Sequence, residues 1–128
     1  MTLPLTLVET RLRVDRAAIR RYADATADYN PIHLDPAFAA RTPMGGVIAH
    51  GMLSLSLIWQ SLEATFGTER MAGIELDVRF VKPVREDVWV SAAGRRLGET
   101  ATYEVWVRLE RDGEPETVIS GTATLGEG

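Results

Sequence analysis

The 128-residue chain contains no cysteine. Disulfides, thiolate metal sites and cysteine nucleophiles are therefore excluded, and a thiol-free chain suits a reducing compartment such as the cytoplasm. Histidine is scarce: there are two, which argues against a dedicated zinc site, so no metal is expected. Positive charge is not in excess. Fourteen Lys and Arg stand against 18 Asp and Glu, for a net charge of -4, where a nucleic-acid binder would carry a basic face. No long hydrophobic run is present either. The most apolar stretch, residues 47–62, is broken by His50, Ser54, Ser56, Gln60 and Ser61 and falls short of the roughly 18 apolar residues of a membrane span. The opening MTLPLTLVET has no basic n-region and is not read as a signal peptide. Internal repeats and low-complexity segments are missing as well. The expectation is one cytoplasmic domain over residues 1–128, of a size that buries roughly two thirds of its unfolded surface.

What is present is ordered. Residues 3–14 carry apolar and β-branched side chains and predict a strand. Asp15 is placed to cap a helix to about residue 25, with Ala18, Ile19, Tyr22 and Ala23 on one face. Asn30-Pro31 stops it, because the residue before proline is driven out of helical backbone. Asp35-Pro36 starts a second short helix, as cap and first helical residue. RTPMGGV is a loop. Residues 49–66 hold the longest helical pattern: Leu55, Trp59, Leu62 and Phe66 share a face, and Leu53, Leu57 and Ile58 make the rest apolar too. That is the pattern of a buried helix, and Gly67 ends it. The second half then changes period. Ile74, Leu76, Val78 and Phe80 alternate with charged residues, as do Tyr103, Val105, Val107 and Leu109 with polar ones, and residues 88–96 and 117–125 complete a set of half-buried strands. LGET and RDGE are turn material for hairpins. The class is α+β, and the economical packing is a curved antiparallel sheet of about five strands wrapped around the one buried helix.

The chemistry concentrates in two places. DYNPIHLD, residues 28–35, sets Asp28 and His33 on either side of Pro31, whose ring stiffens the backbone between them. Asn30 can bridge the turn through its side chain. A stiff loop with a carboxylate and an imidazole suits proton transfer, which needs both groups held within hydrogen-bond reach. The plain alternative is a turn in which Asp28 is a local acceptor and His33 packs into the core. The second place is IAHGM. Gly51 stands at the start of the buried helix, where unpaired N–H groups and the positive dipole end could hold an oxygen that turns negative during reaction. Equally, Gly51 lets the helix start tightly against the sheet, and His50 is read as a capping or packing residue. Ser54, Ser56 and Ser61 fit no nucleophile elbow. Arg79, Lys82 and Arg85 could meet phosphates or belong to a solvated strand end.

DYNPIHLDPAFA, then GGVIAHGML, then RFVKPVRED together resemble the MaoC-like dehydratases, and among them the R-specific enoyl-CoA hydratases. The family's Asp-x-Asn-Pro-[Ile/Leu]-His, its helix opening with His-Gly-Met and its Arg-Phe-x-x-Pro-Val strand occur here in order, with clear likeness over residues 19–90. The resemblance implies a hotdog fold and reversible syn addition of water to a trans-2-enoyl-CoA, giving a (3R)-3-hydroxyacyl-CoA. It implies Asp28 and His33 as the dyad that activates water, Asn30 and Pro31 as loop support, and the Gly51 N–H on the thioester carbonyl. No cofactor beyond the CoA thioester is expected, and the partner is a second copy in a homodimer. Leu55 and Trp59 become candidates for the acyl pocket, and Arg79, Lys82 and Arg85 for the CoA phosphates. The alternatives are a 3-hydroxyacyl-carrier-protein dehydratase and a non-catalytic acyl-CoA-binding hotdog subunit. Ala27 departs from the family, which often has glycine or another small or acidic residue there, and Trp59 is bulkier than expected for a long pocket.

Overall fold

The computed structural model describes residues 2–111 and 113–126. Its elements run β1 (Thr10–Val14), α1 (Arg16–Thr26), α2 (Pro31–Leu34), α3 (Pro36–Ala40), α4 (Gly51–Phe66), a 3-10 helix (Thr68–Gly73), β2 (Glu75–Phe80), β3 (Val88–Arg96), β4 (Thr102–Leu109) and β5 (Glu116–Thr124). The strands form one antiparallel sheet in the order β1-β3-β4-β5-β2, curved around α4. This is the hotdog arrangement. Tyr103, Val105 and Val107 of β4 are fully buried against Leu57, Ile58 and Leu62 of α4 in one core. Each such aliphatic side chain contributes about 1.5–3 kcal/mol by leaving water. Among the described residues no helix is long and apolar enough to cross a membrane.

A buried helix brings polar groups with it, and they are matched by the chain that crosses it. Thr10 Oγ1 donates to the Leu57 carbonyl at 2.8 Å, Ser61 Oγ donates to the Val8 carbonyl, and the Val8 N–H donates to Thr65 Oγ1 at 2.8 Å. These bonds explain why the strand expected over residues 3–14 is regular only from Thr10. Val8 gives both backbone groups to α4, which breaks the ladder. Before it, the chain lies beside β3 again through Leu7 N–H to the Gly94 carbonyl and a Thr6–Arg95 bridge. Tyr103 anchors the same segment: its hydroxyl donates to the Pro4 carbonyl, and burial pushes its pKa up.

Three other expectations need correction. Asn30-Pro31 does not simply stop α1. It opens α2, a single turn, because Pro31 at the first helical position has no N–H to lose and Asn30 caps it. Helix α4 starts at Gly51, later than expected, since the Ala49 N–H is taken by the Val84 carbonyl at 2.7 Å and residues 48–49 stay extended. Phe80 is 54% exposed although the alternation points it inward. It ends an edge strand that runs past the core. The turn expected at residues 111–114 includes Asp112, which lies outside the described residues.

The chains approach most closely at Gly121 of β5, which pairs with Val78 on one side and Val105 on the other. A Cβ built there would lie 2.0 Å from the Asp77 carbonyl oxygen and 2.6 Å from Val78 Cα. Both are backbone atoms, so relief requires parting two strands. Gly121→Ala is expected to cost about 2–4 kcal/mol, read as a lower Tm in thermal unfolding, whereas Gly98→Ala in the β3–β4 turn, with no atom in the way, should cost about 1 kcal/mol for its left-handed backbone.

Candidate active site

The DYNPIHLD segment leaves α1 through Ala27, which takes left-handed backbone at φ 56° and lets the N–H groups of both Ala27 and Asp28 close on the Ala23 carbonyl. A non-glycine residue there costs about 1–2 kcal/mol. Strain of that kind gathers where a loop must present a side chain, and the next residue is Asp28. Its carboxylate is half exposed and accepts the Asn30 N–H at 3.3 Å. Asn30 Oδ1 in turn accepts the Ile32 N–H at 3.1 Å, so the N-terminal end of α2 is braced twice.

His33 is oriented by the chain that enters α4. Its Nδ1 lies 2.8 Å from the Ile48 carbonyl, and the Ile48 N–H donates to the Ile32 carbonyl at 3.2 Å. A carbonyl only accepts, so Nδ1 carries the hydrogen and the neutral ring has its lone pair on Nε2. His50 obeys the same logic in reverse. Its Nε2 lies 3.0 Å from the Asp28 backbone carbonyl and must donate, which leaves Nδ1 as the unprotonated atom. The same Nε2 is 4.0 Å from the Asp28 carboxylate. That is too long for a hydrogen bond, so the backbone contact holds the ring. The two imidazoles stack at 3.9 Å with planes 25° apart, and Tyr22 packs against the buried His50 at 5.0 Å.

One ligand atom from each of Asp28, His33 and His50 lies within 4.8 Å of the others. Lone pairs of ring nitrogens lie in the ring planes. Nearly parallel rings aim them alongside each other, not at one point about 2.0 Å from each, as zinc needs. The arrangement suits proton exchange better than chelation.

The first turn of α4 adjoins this cluster. His50 is its N-cap but makes no side-chain cap bond, so the turn keeps the free N–H groups and positive end of a helix start. Two hollows meet there, sharing His33, His50 and Gly51. One, of about 300 Å³, runs inward past Ser54, Phe80 and Val84. The other, of about 360 Å³, opens beside Tyr22, Asp28 and Met52. A Cβ on Gly51 would come within 3.0 Å of the Phe80 ring, so the glycine lets the aromatic wall close on the backbone.

The chain matches the model of the MaoC like domain over residues 4–126. It belongs to the MaoC-like dehydratase family. It is a hydro-lyase of that family. It is 49% identical over 108 residues to the (R)-specific enoyl-CoA hydratase of Aeromonas caviae, covering 84% of this chain and 72% of that one. It is 34% identical over 125 residues to Nodulation protein N of Rhizobium meliloti, covering 81% and 73%. In structure it is similar to protein af1124 of Archaeoglobus fulgidus, with a TM-score of 0.76 and 25% identity over 98% of this chain and 78% of that one.

Within this MaoC-like site the motif residues fall together, while the outlying candidates do not. Leu55 and Trp59 are absent from the walls of both hollows. Leu55 is sealed in the core, and Trp59 is half-buried against it. At about 100° per residue, Trp59 points roughly 80° away from the Gly51 direction. Arg85 is committed locally: its guanidinium donates to the Met44 carbonyl and packs on Gly45 and Gly46. Lys82 reaches the cavity rim but is paired with Glu116 at 3.3 Å. Arg79 is exposed on β2 and lines neither hollow. His50, expected as a capping or packing residue, packs without capping, and Ser54 is weighed in the sequence only as a nucleophile. The His-Gly dipeptide was a signal for the first; nothing in the spacing marked the second.

The two carbonyl contacts make opposite demands on the two rings. In nitrogen NMR at a pH where both imidazoles are neutral, His33 is expected as the Nδ1–H tautomer and His50 as the Nε2–H tautomer. A His33 spectrum of the Nε2–H form would contradict the geometry, since the ring would then turn a lone pair toward the Ile48 carbonyl.

Proposed function

We propose that this protein catalyses the reversible syn addition of water to a trans-2-enoyl-CoA, giving a (3R)-3-hydroxyacyl-CoA. The observation that carries the reading is a free His33 Nε2 lone pair and the Asp28 carboxylate beside an uncapped helix start at Gly51. Water held by Asp28 loses a proton to His33 Nε2 as its oxygen bonds to the β-carbon. The electron pair moves through the conjugated system to the thioester oxygen, where the Gly51 N–H and the helix dipole meet the developing charge. The imidazolium then returns the proton to the α-carbon from the same side, which makes the addition syn. Asn30 and Pro31 keep the two groups at fixed separation, and no cofactor is invoked. The similarity to the (R)-specific enoyl-CoA hydratase of Aeromonas caviae supports this reading. A carrier-protein thioester presents the same pantetheine arm, so an acyl-carrier substrate fits the same chemistry. A cysteine-free chain with no membrane-crossing helix among its described residues is consistent with a cytoplasmic setting.

The test is hydration of crotonyl-CoA, followed as loss of absorbance of the conjugated thioester, with a series of longer enoyl chains beside it. Asp28→Asn and His33→Ala are each expected to lose about 10³-fold or more in kcat while folding normally, and the double variant to lose little beyond the single ones, as residues acting as a unit do. Folded variants with near wild-type turnover would overturn the mechanism. Lys82, the one predicted phosphate contact at the cavity rim, is the proposed electrostatic partner of the CoA, with Arg79 and Arg85 outside its first reach.

The mouth of the site carries apolar surface: Met52 is 54% exposed and Val81 52%, with the exposed Phe80 in the same walls. A second copy covering this face would finish the site wall, and a homodimer is the proposed assembly. Sedimentation at micromolar concentration should give twice the chain mass, and a fully active monomer would refute it.

A further inference from the structure

Among the described residues, two buried side-chain atoms have no hydrogen-bond partner, His50 Nδ1 and Ser54 Oγ. The first belongs to the stacked pair already described. The second has no such role. Helix α4 carries other serines and discharges them: Ser56 donates to the Leu53 carbonyl at 2.6 Å, and Ser61 donates to the Val8 carbonyl. Ser54 is 1% exposed and bonds to nothing, although a short hydroxyl in a helix can usually turn back to a carbonyl of the preceding turn. Alanine would occupy this position without an orphaned hydroxyl, so the group is costly unless something else meets it.

What can meet it is in the cavity. Ser54 lines the inner hollow together with Gly51 and His33. It stands three residues after Gly51, about 4.5 Å along the axis and on the same side of the helix. Helical side chains lean toward the N-terminus, which inclines the Ser54 hydroxyl to the free N–H groups of the first turn. We infer that Ser54 Oγ–H is a second hydrogen-bond donor to the thioester carbonyl oxygen, completing with the Gly51 N–H a two-donor oxyanion site. This rests on the hydration reading above and deepens it. A donor in a water-excluded wall acts most strongly when the oxygen gains charge, so its effect falls on the transition state more than on the bound ground state.

The test is Ser54→Ala, with kcat and KM for crotonyl-CoA measured beside the Tm of the free protein. The expected result is a fall in kcat of about 100-fold, as for loss of one oxyanion donor, with KM little changed and Tm equal or higher, because an unsatisfied hydroxyl has been removed. A merely structural serine would behave oppositely, with a lower Tm and near-normal kcat, and that result overturns the inference. So does an unchanged kcat at any Tm. A wild-type protein that fails to hydrate any enoyl-CoA brings down the hydration reading and this one with it. Loss of activity in Asp28→Asn with full activity in Ser54→Ala would leave the first standing and remove only the second.

Discussion

The hydrogen bond from His33 Nδ1–H to the Ile48 carbonyl joins the two halves of the site. One partner lies on the single-turn helix α2, the other on the extended residues that lead into α4. It orients the imidazole, chooses its tautomer and brings the DYNPIHLD loop up to the start of the buried helix. The reciprocal Ile48 N–H to Ile32 carbonyl bond and the Ala49 N–H to Val84 carbonyl bond tie the same short segment to α2 on one side and to the chain after β2 on the other. Without that stitching, the Asp28–His33 loop and the helix N-terminus would belong to separate parts of the surface.

The sheet makes this possible by wrapping the broad apolar face of α4, which cannot stay in water, while Met52, Gln60, Glu63 and Ala64 keep a stripe of the helix exposed. Its first turn nevertheless emerges at the sheet edge, beside Phe80, where the dipole end meets the loop. The polar groups deeper on the helix are met by Thr10 and Val8, so the core has few unmet hydrogen bonds. Against that background, a lone buried hydroxyl at Ser54 is conspicuous. The strained Ala27 and the stacked histidines lie in the same neighbourhood, as broken local rules do at sites where function and stability compete, although left-handed backbone also occurs at Asp87 before β3.

The cations of RFVKPVRED divide by geometry. Arg85 bonds to the Met44 carbonyl and holds the glycine loop down, Lys82 shares its charge with Glu116 at the cavity rim, and Arg79 faces solvent. Three basic residues in one motif therefore have three different settings. Their spacing in the chain could not separate them, because a strand end that twists and then leaves the sheet sends neighbouring side chains in unrelated directions.

Much of the fold was legible in the chain itself. Period-2 alternation marked β2 and β4, residues 88–96 and 117–125 completed the set, the all-round apolar pattern marked α4, and Asp15, Asp35 and Gly67 marked helix ends, because these signals are set by neighbours a few residues away. Asp28, Asn30, Pro31, His33 and Gly51 were legible as a motif, since proline and glycine restrict or free the backbone wherever they stand. Tertiary structure alone decided the rest. It broke the first strand at Val8, turned Phe80 outward, took Trp59 off the cavity wall, and brought His50 under His33 and Ser54 beside Gly51. Those outcomes depend on partners far along the chain, such as the 53 residues that separate Val8 from Ser61, and a contact across that distance exists only once the sheet has closed around the helix.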